Sequence, residues 1–311
     1  MVETVKPYRI DVHHHILPLE YISALGKIGT RESAGIAFPQ WDIEKSIALM
    51  DRKGIMAALV SISAPGIYFG NRDFTRDLAR SCNEFSARLI QEYPQRFGAF
   101  AVLPLPDIEA SLLELEYALE ALNLDGVVLL TNINGQYLGD PAFENLFMEL
   151  NRRKTVVFIH PNTPPAEMLP KTKVPSAVME FVFDTTRAIA NLIYTRTLKR
   201  YPDIRLIFSH AGGTAPFLAW RISMGDRKII EALKSLYYDI ALSATPYALR
   251  SLQETADPSH ILFGSDYPFL PESLITSMVE GITYYDGFDT QTRVAIERDN
   301  ALTLFPRFKS Y

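Results

Sequence analysis

The sequence of 311 residues contains one cysteine, Cys82, which excludes an intramolecular disulfide and disfavours a cysteine-based zinc site. No stretch is apolar over the length of a membrane span, and Met1 to Arg9 lacks the apolar run of a signal peptide. There is no basic patch, and the net charge is only -5. We therefore expect a cytoplasmic protein with neither a membrane nor a nucleic-acid partner.

The chain also lacks a GxGxxG motif after its first apolar run, which disfavours a dinucleotide-binding fold. It contains instead an alternation of short β-rich runs with helical patterns. Residues 156–159 illustrate the continuous apolar runs typical of parallel strands buried on both faces. Eight runs are predicted to be strands: Tyr8–His14, Met56–Ile62, Phe97–Leu103, Gly126–Leu130, Thr155–His160, Arg205–Ser209, Tyr237–Ala241 and His260–Gly264.

Amphipathic patterns between these runs predict helices, clearest over Ile43–Lys53, Arg76–Glu92 and Ala110–Leu122. Strands that each precede a helix predict an α/β fold, a (β/α)₈ TIM barrel forming one domain over residues 1–311. An open, doubly wound sheet would give the same alternation. Long connections at 17–40 and 161–173 follow the first and fifth strands, at the side where barrel enzymes build lids and substrate pockets.

The first predicted strand ends in three consecutive histidines. Side chains alternate along a strand, so His13 and His15 point to one face and His14 to the other. Two imidazoles so spaced can share a metal ion. An isolated pair of this kind is a weak signal by itself. His14 is expected to face the surrounding helices, and His260, which opens the eighth strand, is expected to be structural.

Other polar residues end more distant strands: His160 the fifth, His210 the sixth and Asp266 the eighth. Alone, His160 would be read as a hydrogen-bonded core residue and Asp266 as a helix cap. In a barrel, however, all these strand ends converge on one mouth. Three imidazoles and a carboxylate there suit Zn²⁺ or another divalent first-row metal, with a position open for water or substrate. The sequence therefore predicts a single-metal site.

Four segments carry a family resemblance: residues 11–18 (DVHHHILP), 158–161 (FIHP), 209–213 (SHAGG) and 264–268 (GSDYP). Together they resemble the amidohydrolase superfamily, and within it the nonoxidative decarboxylases typified by 2-amino-3-carboxymuconate semialdehyde decarboxylase. The similarity runs over nearly the whole chain. The resemblance implies an amidohydrolase-type barrel fold and an enzyme that releases CO₂ from a small carboxylic acid.

The resemblance also implies roles for individual residues. One divalent metal, usually zinc with manganese as the alternative, would be bound by His13, His15, His160 and Asp266. His210 would be a catalytic residue beside the metal-bound water. Arg221, eleven residues further on, matches an arginine that reaches the neighbouring subunit's site and holds a substrate carboxylate, which implies a homodimer. The alternative for Arg221 is an ordinary charge on a surface helix.

The chain departs from two relatives in this branch. Residues 38–41 show no clear match to a further arginine of the muconate enzymes, which disfavours a dicarboxylate substrate. His13 and Gly213 occupy positions where resorcylate-type relatives have glutamate. Residues 132–150 and the proline-rich segment after His160 are most similar to 6-methylsalicylate decarboxylases. A salicylate-type acid, such as 6-methylsalicylate converted to 3-methylphenol, is the expected substrate.

Decarboxylation of such an acid needs a proton at the carbon that carries the carboxylate. His210 or Asp266, or water between them, is the expected donor. Trp41 and Phe269 are candidates for holding the ring, with packing as the alternative for both. The same ligand set could instead activate water, so a lactonase-type hydrolase is the main alternative function. A muconate-type decarboxylase and a non-catalytic scaffold are the others.

Overall fold

A computed structural model describes residues 8–169 and 171–310 of the chain. The Met1–Arg9 segment considered above lies largely outside the described residues. Eight parallel strands form one sheet in which each strand pairs with the next along the chain. They are β1 (Arg9–His15), β2 (Ile55–Ser61), β3 (Phe97–Val102), β4 (Gly126–Leu130), β5 (Val156–His160), β6 (Arg205–Phe208), β7 (Tyr237–Asp239) and β8 (Ile261–Leu262).

Helices lie between the strands, as expected for the predicted amidohydrolase-type barrel. Two short antiparallel hairpins, Glu32–Ser33 with Ile36–Ala37 and Asn132–Ile133 with Gln136–Tyr137, rise from the loops. The helices are α1 (Leu19–Lys27), α2 (Ile43–Lys53), α3 (Arg72–Glu92), α4 (Ile108–Glu116), α5 (Glu144–Arg152), α6 (Ser176–Tyr194), α7 (Thr197–Arg200), α8 (Ala219–Ser223), α9 (Arg227–Lys234), α10 (Pro246–Thr255), α11 (Glu272–Tyr284), α12 (Thr290–Val294) and α13 (Asn300–Leu304).

Local signals fix the bounds of α2, which match the prediction at both ends. The Asp42 side chain accepts a hydrogen bond from the backbone N–H of Lys45 at 2.7 Å, which caps the first turn. Gly54 ends the helix with φ of 64°, a left-handed conformation that glycine adopts without a Cβ clash. Helix α3 begins four residues earlier than predicted because Asn71 caps it at the backbone N–H of Phe74.

The last strand is much shorter than the predicted His260–Gly264. His260 belongs to a 3₁₀ turn before β8, and the backbone N–H of Phe263 donates to Ile296 rather than to a neighbouring strand. The following residues still close the barrel. The Phe263 carbonyl accepts from Val12 of β1 at 3.0 Å, and the N–H of Asp266 donates to the His13 carbonyl at 2.7 Å.

The barrel interior is filled with aromatic side chains beneath the carboxyl ends of the strands. The rings of Phe100 and Phe158 stack with centroids 5.4 Å apart, and Phe305 closes against Phe100 at 5.8 Å. Phe158 meets the His13 ring edge-on at 4.9 Å. The predicted histidine site therefore sits on a packed apolar floor and opens only toward the loops. Among the described residues, no helix is both long and apolar enough to cross a membrane.

Candidate active site

The four predicted ligands converge at the carboxyl end of the barrel. His13, His15, His160 and Asp266 are buried, and one ligand atom from each lies within 4.8 Å of the others. The Nε2 atoms of His13 and His15 are 3.0 Å apart. Oδ1 of Asp266 lies 3.3 Å from the first and 3.2 Å from the second. The fold thus brings together residues separated by more than half of the sequence.

The outer nitrogen of each imidazole is held by an oxygen. The Nδ1 atoms lie 2.8 Å from Asp239 Oδ2 for His13, 3.1 Å from Ser61 Oγ for His15 and 2.8 Å from the Pro161 carbonyl for His160. A proton on each Nδ1 leaves the Nε2 lone pair facing the centre of the group. This is how metal-binding histidines are oriented in proteins, so the donor set fits a divalent metal.

The electrostatics of the group also favour a cation. Burial lowers the pKa values of His15 and His160, which keeps both imidazoles unprotonated. Burial opposes a charge on His13 too, but Asp239 and Asp266 outweigh it and raise the His13 pKa to about 10. Burial likewise raises the pKa of Asp266, yet the nearby His13 holds it well below its ordinary value. Carboxylates that stabilise a proton on His13 would equally stabilise a metal ion in its place.

His210 and Asp266 were predicted to end the sixth and eighth strands. In the structure these strands end earlier, at Phe208 and Leu262. Both residues adopt left-handed backbone conformations, with φ of 53° and 56°, which non-glycine residues rarely do. His210 opens a 3₁₀ turn after β6, and its backbone N–H donates to Asp239 Oδ1 at 3.0 Å. The ring of His210 lies 4.9 Å from that of His13, beside the ligand group but outside it.

Asp239, at the end of β7, was missed in the sequence. It is fully buried and links two parts of the site: one carboxylate oxygen holds the His13 ring, and the other holds the backbone of His210 and of Ala241. The predicted strand ran to Ala241, so Asp239 lay inside it and did not show the strand-end pattern that identified Asp266. Tyr237 and Tyr238 before it gave no reason to expect a polar site.

Asp11 braces the first strand against the last. Its carboxylate accepts hydrogen bonds from the backbone N–H of His13 at 3.0 Å and from the backbone and side chain of Ser265 at 2.9 and 2.5 Å. It also contacts His14 Nδ1 at 3.0 Å, and the other nitrogen of His14 lies 2.7 Å from Ser46 Oγ on α2. His14 therefore faces the helices, as predicted, and has a structural role.

Another buried carboxylate, Asp184 of α6, fixes the turn after β5. It accepts hydrogen bonds from Thr131, Asn132 and Tyr137. The hydroxyl of Thr131 in turn accepts from the backbone N–H of Asn162 at 2.9 Å. This chain of contacts holds the segment that carries the Pro161 carbonyl, and so the orientation of the His160 ring.

A cavity of about 420 Å³ opens above the ligand group. His160, His210 and Asp266 contribute to its polar floor, and Phe269 lies on its wall with its ring 5.5 Å from that of His15. A wall residue that the sequence did not suggest is Phe181 of α6, 5.8 Å from the His160 ring. An aromatic side chain on a helix is ordinarily read as core, so no local signal pointed to it.

The other two predicted substrate contacts lie elsewhere in this chain. Trp41 packs edge-on against Phe85 of α3, with ring centroids 5.9 Å apart, and is not among the described residues lining the cavity. Arg221 is exposed on α8 and also does not reach its own chain's cavity. Phe269 is therefore the predicted contact that the fold brings beside the ligand group.

The sequence of this chain is similar to those of known proteins. A family profile described as Amidohydrolase matches residues 10–307. A protein named decarboxylase yanB from Aspergillus niger is 38% identical, covering 97% of this chain and 88% of its own. A 6-methylsalicylic acid decarboxylase from Penicillium expansum is 36% identical over 97% of both chains. The chain belongs to the amidohydrolase family.

Solved structures agree on the fold. An amidohydrolase crystal structure superposes with a TM-score of 0.91 and 30% identity, covering 96% of this chain and 99% of its own. A 5-carboxyvanillate decarboxylase from Novosphingobium aromaticivorans, solved with manganese and a nitrobenzoic acid, has a TM-score of 0.86, 21% identity and coverage of 98% and 99%. The predicted barrel and the resemblance to the decarboxylase branch are both confirmed. The chain is an enzyme of this branch, and its convergent ligand group is suited to one divalent metal ion.

Proposed function

We propose that the protein is a metal-dependent nonoxidative decarboxylase that releases CO₂ from a small aromatic acid of the salicylate type. The observation that carries this proposal is the cavity itself, which has a floor of histidines and a carboxylate beneath apolar and aromatic walls. A relative at 36% identity is named for its action on 6-methylsalicylic acid. We therefore propose 6-methylsalicylate as a substrate and 3-methylphenol as its product.

His13, His15, His160 and Asp266 are proposed to hold the metal, with zinc as the first expectation. Manganese is the alternative, because a related decarboxylase structure contains it. When bound, the metal would supply positive charge that orients the substrate carboxylate and neighbouring oxygen and stabilises developing negative charge. Asp239 would keep the His13 ring in the orientation that this binding requires.

His210 is proposed to deliver the proton. Its Nδ1 lies 3.1 Å from the Ala241 carbonyl, so a proton on Nδ1 donates a hydrogen bond to that oxygen. The other ring nitrogen, Nε2, has no hydrogen-bond partner among the described residues. A proton on Nε2 can pass to the ring carbon that bears the carboxylate. The bond to the carboxylate carbon then breaks, its electrons restore the aromatic ring, and CO₂ leaves. Asp266, also on the cavity floor, is the alternative donor.

Phe269 is proposed to pack against the substrate ring, and Arg221 to serve the cavity of a second subunit in a homodimer. The surroundings of Arg221 support an interface, because Phe217, Trp220 and Met224 nearby are 81%, 76% and 80% exposed. We further propose that residues 1–311 form one domain and that the enzyme acts in the cytoplasm without nucleic-acid or membrane partners.

Two other activities, those of a hydrolase and of a muconate-type decarboxylase, can be distinguished from decarboxylation of an aromatic acid. A lactonase-type hydrolase could use the same ligand group to activate water. A muconate-type decarboxylase would need to hold a second carboxylate, and none of the described residues lining the cavity is lysine or arginine. The cavity of a single chain therefore favours a substrate with one carboxylate.

The test is CO₂ release from salicylate-type acids by the metal-loaded enzyme, measured beside ring opening of lactones and CO₂ release from a muconate acid. Release from the aromatic acids alone is expected. Ring opening without CO₂ release would replace the proposal by the hydrolase.

The role of His210 is tested with His210→Ala, which should retain the metal and lose turnover. Metal content is measured by elemental analysis, and His260→Ala, which changes a histidine at the other end of the barrel, is the control. Normal turnover in His210→Ala would remove this residue from the mechanism.

A further inference from the structure

The outer part of the active-site cavity differs in character from its floor. One face of α6 contributes Val178, Phe181 and Val182, and the loops and helix after β7 and β8 contribute Leu242 and Leu274. These side chains carry no charge and no hydrogen-bonding group. Away from the ligand group the cavity walls are therefore mainly apolar, with Ser33, Ser63 and Ser243 as their polar members.

The whole cavity is larger than a single-ring acid needs. A cavity of about 420 Å³ lies in the range of pockets, about 300–1,000 Å³, that enclose drug-sized ligands. A salicylate whose carboxylate and hydroxyl lie on the polar floor, with its ring between Phe181 and Phe269, would leave the outer walls without contacts. Unfilled apolar surface of this kind favours a ligand with additional apolar groups.

The rim of the cavity shows the same property. In the single chain, Val178, Leu242 and Leu274 are 62%, 49% and 43% exposed, which is high for side chains of this size beside a catalytic floor. A polar or charged substituent lying against these three side chains would lose part of its hydration without gaining a hydrogen bond from them. An alkyl group would cover apolar surface that is otherwise in contact with water.

We infer that the enzyme selects aromatic acids whose ring carries an alkyl group longer than methyl, with the alkyl chain lying against Val178, Leu242 and Leu274. This inference rests on the proposed decarboxylation and specifies its substrate class. Burial of one methylene corresponds to roughly a fourfold gain in kcat/KM where the contact is made in the transition state. A propyl group should therefore exceed methyl by roughly 15-fold, as two added methylenes.

The inference is tested with the metal-loaded enzyme on salicylate and its methyl, ethyl and propyl derivatives substituted at the ring carbon next to the carboxylate. The rate of CO₂ release at low substrate concentration gives kcat/KM. We expect a rise along the series and a fall when the methyl compound carries an additional ring hydroxyl. A maximum at methyl, or a flat series, would overturn the inference and leave the decarboxylase proposal intact. No CO₂ from any member would overturn both.

A pair of variants on α6 tests the location of the alkyl chain. Val178→Phe narrows the cavity and should lower the ratio of propyl to methyl kcat/KM to about one. Met179→Phe is the matched control, because this neighbour is 43% exposed and is not among the lining residues. It should leave the ratio unchanged. Equal ratios in wild type and Val178→Phe would show that the chain does not lie on this wall.

Discussion

The two ends of the barrel both bury charged groups, but they satisfy them differently. At the amino end, Arg9 Nε lies 2.6 Å from Glu297 Oε1, and Arg9 also donates to the Lys53 carbonyl at 2.8 Å. Arg307 and Asp125 form a second pair there, at 2.7 Å. The carboxylates of Glu297 and Asp125 are each paired with an arginine of the same chain, so their negative charges are balanced without a bound ion.

At the carboxyl end the ligand group consists of anions and imidazoles, and no lysine or arginine is among the described residues that form it or line its cavity. Asp239 and Asp266 flank His13, and the Nε2 atoms of three imidazoles face one another. Buried lone pairs in this arrangement are costly unless a proton or a metal lies between them. Buried charge alone therefore does not identify an active site. The distinguishing feature is a group of donors whose balancing cation must come from outside.

Loss of a ligand should give the largest effect. His160→Ala removes one of three imidazoles and leaves a set that no longer suits a tightly bound divalent ion. We expect the purified variant to lose its metal and its CO₂ release together. Elemental analysis and the decarboxylation assay check this, with His260→Ala as the control of the same residue type. Full metal content in His160→Ala would contradict the ligand assignment.

The amino end should respond in stability rather than in chemistry. Arg9→Met leaves the buried Glu297 carboxylate without its cation, at a cost of about 3–5 kcal/mol in the free energy of unfolding. Metal bound per folded chain should not change. Urea denaturation measures the loss, and the double variant Arg9→Met with Glu297→Met should recover most of it. Equal stability of the single and double variants would show that Arg9 does not balance the charge of Glu297.

Removal of the metal should destabilise the protein by a comparable but smaller amount. A ligand present at 100 times its Kd stabilises the folded state by about 2.7 kcal/mol. For wild type with metal at 100 times its Kd, chelation should therefore lower the free energy of unfolding by about 2.7 kcal/mol. The same decrement is expected in Arg9→Met, because the two ends share no partners. Urea denaturation with and without chelator measures both, and a different decrement in the variant would indicate coupling between the ends.

The smallest expected effect is that of a residue that touches a ligand but not the metal. Asp239→Asn weakens the hold on His13 and should lower metal affinity by roughly 10–100-fold. Competition with a chelator of known affinity measures this change. Asp125→Asn, a buried carboxylate at the amino end, is the control and should lower stability without changing metal affinity. Equal metal affinity in the two variants would remove Asp239 from the support of the site.

Much of the fold followed from local patterns. The amphipathic pattern over Ile43–Lys53 was enough to predict α2, and the Asp42 cap and Gly54 set its ends in the structure. The alternation along β1 separated His14 from His13 and His15, because side chains on a strand must alternate between faces. These features depend only on residues close together in the sequence.

The tertiary structure decided what depends on distant residues. The left-handed backbones of His210 and Asp266 are held by hydrogen bonds to Asp239 and His13, and no local pattern predicts such strained positions. The length of β8 was set by the hydrogen bond from Phe263 to Ile296 rather than by its apolar run. Phe181 became a cavity wall, and Trp41 did not, because helix packing rather than residue type determines what faces the mouth. The sequence alone thus determined the metal ligands as candidates, whereas the fold determined their support and the shape of the space above them.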